Sequence, residues 1–130
     1  MNRVDIAVVV DTEGTLAAGT LENSLYLVDT ESYLGSWAEG TNSLHTICRD
    51  GQVLVWRAIA ISPESDVNLI SFDGEMVSSG ICIVNRIEGV DGPYWEGKVQ
   101  SRGSFGSYGF AGTISIDGRS FRFNGSIKVV

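Results

Sequence analysis

Towards the C-terminus, apolar and polar residues alternate with a period of two. "YGFAGTISI" precedes Asp117-Gly118 and "RSFRFNGSIKVV" follows it. A two-residue turn there sets Ile116 opposite Arg119, Ile114 opposite Phe121 and Gly112 opposite Phe123. Tyr108, Phe110, Ile114 and Ile116 then share a face with Phe121, Phe123, Ile127 and Val129. Thr113, Ser115, Arg122, Asn124, Ser126 and Lys128 take the other face. Pattern and turn agree on one half-buried antiparallel hairpin. Asp-Gly also occurs at Asp50-Gly51, Asp73-Gly74 and Asp91-Gly92, a pair suited to tight turns because both central residues take positive φ.

The remaining apolar segments extend this reading. "QVLVWRAIAIS" is apolar at both parities, as in a central strand or one between two packed layers, and places Trp56 in the core. The Asp50-Gly51 turn pairs it with "LHTICR". "VNLISF" and "EMVSSGICIV" flank Asp73-Gly74 as a third hairpin, and "PYWEGKVQ" is a further strand before a loop, "SRGSFGS". "VDIAVVVDTEG" opens the chain as a strand ending at Asp11. No segment carries a sustained helical stripe. "ENSLYLVDTESYLGSW" comes nearest, with strand or loop equally open. The expectation is one all-β domain over residues 1–130, an antiparallel β-sandwich of about seven to nine short strands, rich in hairpins.

Composition narrows the function classes. The chain has 130 residues, 43% of them apolar, enough for a packed core. Its net charge of −7 repels phosphate backbones, so nucleic acid is not an expected partner. No basic cluster points to an anionic membrane surface, and the longest apolar runs are too short to span a bilayer. The first residues lack the long apolar stretch of a secretory signal, which suggests a cytoplasmic protein or one exported without a cleaved signal. Cys48 and Cys82 have no metal-type spacing and read as two buried free thiols.

Candidate chemistry is sparse. An aspartate after an apolar run invites a catalytic reading of Asp11. The following "TLAAGTLENSLYL" lacks the helical face that a parallel α/β enzyme needs after its strand. "DTE" occurs twice, so Asp11, Glu13, Asp29 and Glu31 could ligate a hard cation such as Ca²⁺ if the two segments converged. Solvated strand ends are the competing reading. His45 is the only histidine, and no partner for a nucleophile accompanies it. Trp37 and Trp95 lie near polar turns. With Asn42, Asp91 and Tyr94 they make a candidate sugar-binding set, against the alternative that these aromatics are structural.

The order of segments resembles a known family. "VDIAVVVDTEGTL", "DGQVLVWRAIAIS", "YWEGKV", "YGFAGTISIDG" and the closing "SIKVV" look like successive strands of the bacterial inclusion-body protein family, PixA/AidA. Gln52 stands where that family has an acidic residue, and "FNGSIKVV" where it tends to have Trp-Asp-Pro. The resemblance implies a small β-sandwich associated with intracellular inclusions or with induction at high cell density. It implies no catalytic residues and no cofactor. The leading expectation is a non-enzymatic accessory protein acting by self-association, as a homo-oligomer, or by binding a partner. A carbohydrate-binding module with a glycan ligand is the alternative, and an enzyme built on the "DTE" carboxylates ranks third.

Overall fold

The computed structural model describes residues 3–19, 25–29, 44–62, 65–90 and 92–130. Its elements are β1 (Arg3–Val10), α1 (Thr12–Ala18), β2 (Leu25–Asp29), β3 (Leu44–Cys48), β4 (Val53–Ala60), β5 (Val67–Asp73), α2 (Glu75–Ser78), β6 (Cys82–Gly89), β7 (Gly92–Val99), β8 (Gly106–Ile116) and β9 (Arg119–Val129). They form two sheets, ordered β2-β1-β4-β7-β6 and β3-β9-β8-β5. The expected all-β sandwich is present, with nine strands among the described residues.

The β8–β9 hairpin has the register read from the alternation: Ile116 pairs with Arg119, Ile114 with Phe121 and Gly112 with Phe123. Its turn residues Asp117 and Gly118 have φ of 48° and 87°, the positive pair that a tight hairpin requires. Phe121, Phe123, Ile127 and Val129 are buried, while Arg122, Asn124 and Lys128 are exposed. β6 and β7 form a second hairpin, paired from Cys82↔Val99 to Gly89↔Gly92.

Two expected hairpins are absent. β3 and β4, on either side of Asp50-Gly51, belong to different sheets. That turn is a corner tied to the end of β7. Gly51 N–H donates to the Val99 carbonyl at 2.8 Å, and the Asp50 carboxylate accepts from the Ser101 N–H at 2.7 Å. Gln52 is buried, and its side-chain oxygen accepts from the Arg49 N–H at 2.7 Å. The Asp73-Gly74 turn likewise carries the chain from one sheet to the other, through α2 to β6. Gly74 has φ of 104°, and a Cβ there would come within 2.9 Å of the Phe110 Cα. The turn therefore has to hug β8 before it crosses.

The sandwich is not wholly antiparallel. β1 runs parallel to β4 from Arg3↔Val53 to Val10↔Ala60, and β3 runs parallel to β9. A short helix also follows the first strand, contrary to expectation. The seven residues of α1 are too few to show a stripe, but their boundaries carry ordinary signals. Asp11 caps the start, and Gly19 ends the helix in the left-handed region at φ 76°.

The core lies between the sheets. Val4, Ile6, Val8 and Val10 on β1 face Ile114, Ile116, Phe123 and Ile127 from the other layer, all buried. Aromatic rings interleave at the centre. Phe72 of β5 lies 5.2 Å from Trp56 of β4 and 5.4 Å from Trp95 of β7, and Phe110 lies 5.9 Å from Trp56. Trp56 is fully buried, as its segment predicts, and its indole nitrogen finds no acceptor among the described residues. Each such buried side chain contributes roughly 1.5–3 kcal/mol of hydrophobic stabilisation, the main force holding the layers together.

Candidate functional site

The two outer faces of the sandwich differ in chemistry. Outside the four-stranded sheet, the polar positions of the β8–β9 hairpin face solvent, and Arg122 pairs with Asp73 at 3.0 Å. The outer face of the five-stranded sheet mixes apolar side chains with the charged Arg3, Asp5, Arg57, Glu96 and Lys98. Strand alternation turns Ala7 and Val9 of β1, and Val53, Val55 and Ile59 of β4, away from the core. β6 adds Ile83 and Ile87 in the same way. Ile59 is 47% exposed and Ile83 58%.

Three charged groups on this face, those of Arg3, Asp5 and Arg57, are engaged with close neighbours. The Arg3 guanidinium meets the Asp5 carboxylate at 2.6 Å, and that bond and charge raise the Arg3 pKa above its usual value. The Arg57 guanidinium sits 4.5 Å above the Tyr94 ring, a contact of about 0.5–1 kcal/mol at an exposed site. The face is dented by two open depressions. One, of about 330 Å³, runs along Ala7, Val55 and Ile59; the other, of about 310 Å³, lies beside Val53, Ile83 and Ile87. Such a surface offers area and shape to a partner.

The expected sugar-binding set is placed only in part. Trp37, Asn42 and Asp91 lie outside the described residues. Tyr94 and Trp95 are adjacent on β7, so they point to opposite faces of the sheet. Tyr94 lies on the outer face under Arg57. Trp95 turns inward against Phe72, and its indole N–H donates to the Leu69 carbonyl at 3.0 Å. The two rings form no common platform.

The expected cation ligands are spread out. Asp11 follows β1 and accepts a hydrogen bond from the Gly14 N–H at 3.1 Å, as the cap of α1. Glu13 is exposed in the first turn of that helix. β1 and β2 are antiparallel, with Val10 opposite Leu25 and Ile6 opposite Asp29. Asp11 and Asp29 therefore stand at opposite ends of the pair, roughly 15 Å apart at the rise of a strand. Glu31 lies outside the described residues. Among the described residues, no three potential ligands gather into a metal-sized cluster.

Cys48 and Cys82 are free and buried, as expected. Burial pushes each thiol up to about 12, so neither supplies a thiolate near neutral pH. No described helix is long and apolar enough to cross a membrane. The feature that sequence reasoning missed is the outer-face set on β6, Ile83, Asn85 and Ile87. Its signal was the spacing in "IVNRI", hidden because the preceding turn promised a hairpin with the wrong partner.

Comparison with known proteins gives a family and a fold. A family model described as a domain of unknown function (DUF8788) matches residues 2–122. No curated protein matches the sequence. Among solved structures, the fold is similar to that of an inclusion body protein (PixA) from Burkholderia cenocepacia J2315. The TM-score is 0.76 over 99% of this chain and 96% of that one, at 12% identity. An endo-fucoidan hydrolase of glycoside hydrolase family 107 matches in part, with a TM-score of 0.42 and 12% identity over 70% of this chain and 13% of that one. The second likeness is too low to carry an argument, and the first is a likeness of fold.

Proposed function

The chain belongs to the DUF8788 family, and from that membership and its fold we propose that it is a non-enzymatic bacterial accessory protein that works by self-association. On this reading its family stands beside the PixA/AidA proteins, which the order of its segments resembles. The fold shared with an inclusion body protein supports the reading. The observation that carries it is the asymmetry of the sandwich: the outer face of the five-stranded sheet, unlike that of the β8–β9 hairpin, bears the exposed isoleucines Ile59 and Ile83. Exposed apolar side chains rimmed by polar ones mark an interaction site more often than a reaction centre. The bonded or stacked state of Arg3, Asp5, Arg57 and Tyr94 suits a docking surface.

The test is sedimentation velocity over a range of concentrations spanning micromolar to millimolar. The expected result is a sedimentation coefficient that rises with concentration. Added salt should promote assembly by screening the repulsion between copies of net charge −7. A monomer at every concentration and salt would overturn the proposal.

A further inference from the structure

β6 is an edge strand. Among the described residues it has β7 on one side and no strand on the other. An uncovered edge presents a row of unpaired N–H and C=O groups, and folded proteins commonly defend such rows with bulges, prolines or inward charges. The other described edge beside the β8–β9 hairpin is defended: β5 shifts register between Leu69 and Ser71. β6 shows no such break, and its two charges at inward parity, Arg86 and Glu88, are exposed and pair with each other. Its eight residues pair with β7 without a shift, and they include no proline.

The sequence of this edge is self-complementary. Around Asn85 it reads Ile83-Val84-Asn85-Arg86-Ile87, with isoleucine at equal distances on either side. We infer that β6 is the surface through which two copies of this chain associate, its edge pairing antiparallel with the same edge of a second copy about a two-fold axis at Asn85. The inference rests on the self-association reading above and names the surface.

Three geometric consequences support this register over its neighbours. First, the β6–β7 turn makes Gly89↔Gly92 a bonded pair, so Ile83, Asn85 and Ile87 spend their backbone groups on β7. Val84, Arg86 and Glu88 then present theirs to the open edge. In the proposed register Val84 meets Arg86 of the second copy, so the free groups face each other and can exchange bonds.

Second, the outward side chains match. Ile83 meets Ile87 of the second copy on both sides of the axis, and Asn85 meets Asn85. These are non-bonded pairs, in which side chains approach most closely. The 58% exposed Ile83 is covered, and the depression beside Ile83 and Ile87 is continued across the axis. Moving the second copy by one step of the ladder, so that the axis falls on Arg86, would set Arg86 against Arg86 and Asn85 against Ile87.

Third, the charges are compatible. Arg86 pairs with Glu88 of its own strand at 2.9 Å, which leaves the edge close to neutral on a chain of net charge −7. Two such chains meet here with less repulsion than their total charge implies.

Asn85→Cys tests the register. A non-bonded cross-strand pair brings Cα atoms to about 4.5 Å, within disulfide range. Mild oxidation should link Asn85→Cys into dimers at least tenfold faster than Arg86→Cys, while buried Cys48 and Cys82 stay unreactive. Ile83→Lys, on an exposed side chain, should keep the melting temperature and weaken the wild-type association at least tenfold. If the wild type associates, but the two cysteine variants cross-link at equal rates and Ile83→Lys associates normally, the β6 pairing is overturned and self-association stands. A wild type that stays monomeric, with no preferential Asn85→Cys cross-link, overturns both.

Discussion

Phe123 lies over Gly112, the residue directly opposite it on β8: a Cβ built at Gly112 would meet the Phe123 ring at 2.5 Å. The arrangement is reciprocal. Phe110 lies over Gly125, where a Cβ would meet its ring at 2.7 Å. The two rings then meet edge to face, with centroids 6.3 Å apart. Each phenyl ring occupies the space that a glycine leaves on the neighbouring strand, which lets the paired strands carry two large side chains without bulging.

This interlock sets the cost of changing either partner. Phe123→Ala should lose about 3–5 kcal/mol, as for a buried aromatic. Gly112→Ala should lose about 1–3 kcal/mol, because the new methyl forces the ring from its place. Urea denaturation measures both from the midpoint at constant slope. A loss under about 1 kcal/mol for Phe123→Ala would contradict the packing.

Asp11 is a helix cap, and its variants should behave as cap variants do. Asn accepts the same bond from the Gly14 N–H, so Asp11→Asn should change stability by less than about 0.5 kcal/mol, whereas Asp11→Ala should cost about 1 kcal/mol. Calorimetry with Ca²⁺ gives the matching control. A saturable heat in the wild type, abolished by Asp11→Asn, would restore a ligand role to this carboxylate.

The buried thiols make an alkaline prediction. Both folded pKa values lie near 12, above the ordinary 9.0. The unfolded chain therefore loses these protons first, and the folded state binds more protons between the two values. The contribution to stability is complete below about pH 9 and is lost as pH rises towards 12. Replacing Cys48 and Cys82 together by alanine should make stability fall less steeply across that window in denaturation curves run at each pH. An unchanged slope would place the thiols in contact with water.

What the sequence disclosed was local. Alternation through "SFRFNGSIKVV" reports which side of β9 is buried, and Asp117-Gly118 reports a turn whose backbone demands those residues. Asp50-Gly51 carries the same signal and ends differently. A turn dipeptide specifies the reversal of the chain but not the sheet that the next strand joins. That choice is made by Val99 and Ser101, which hold the corner from distant positions, and by Gln52, which bonds Arg49 within it. The parallel pairing of β1 with β4 was hidden for the same reason, since a period of two names a face and leaves the neighbour open. The proposed edge was legible as a pattern in "IVNRI", but only the sheet order shows that nothing among the described strands covers it.

The place of β9 bears on how the chain is made. It is the last strand in sequence, yet it lies inside its sheet between β3 and β8. During synthesis β3 must wait for some eighty residues before its partner exists, because Leu44 pairs with Gly125 and Cys48 with Val129. Contacts of such long sequence separation close slowly. A nascent chain still tethered at its C-terminal end thus holds two open strand flanks until β9 leaves the ribosome, and in that interval premature encounters between neighbouring chains are most dangerous.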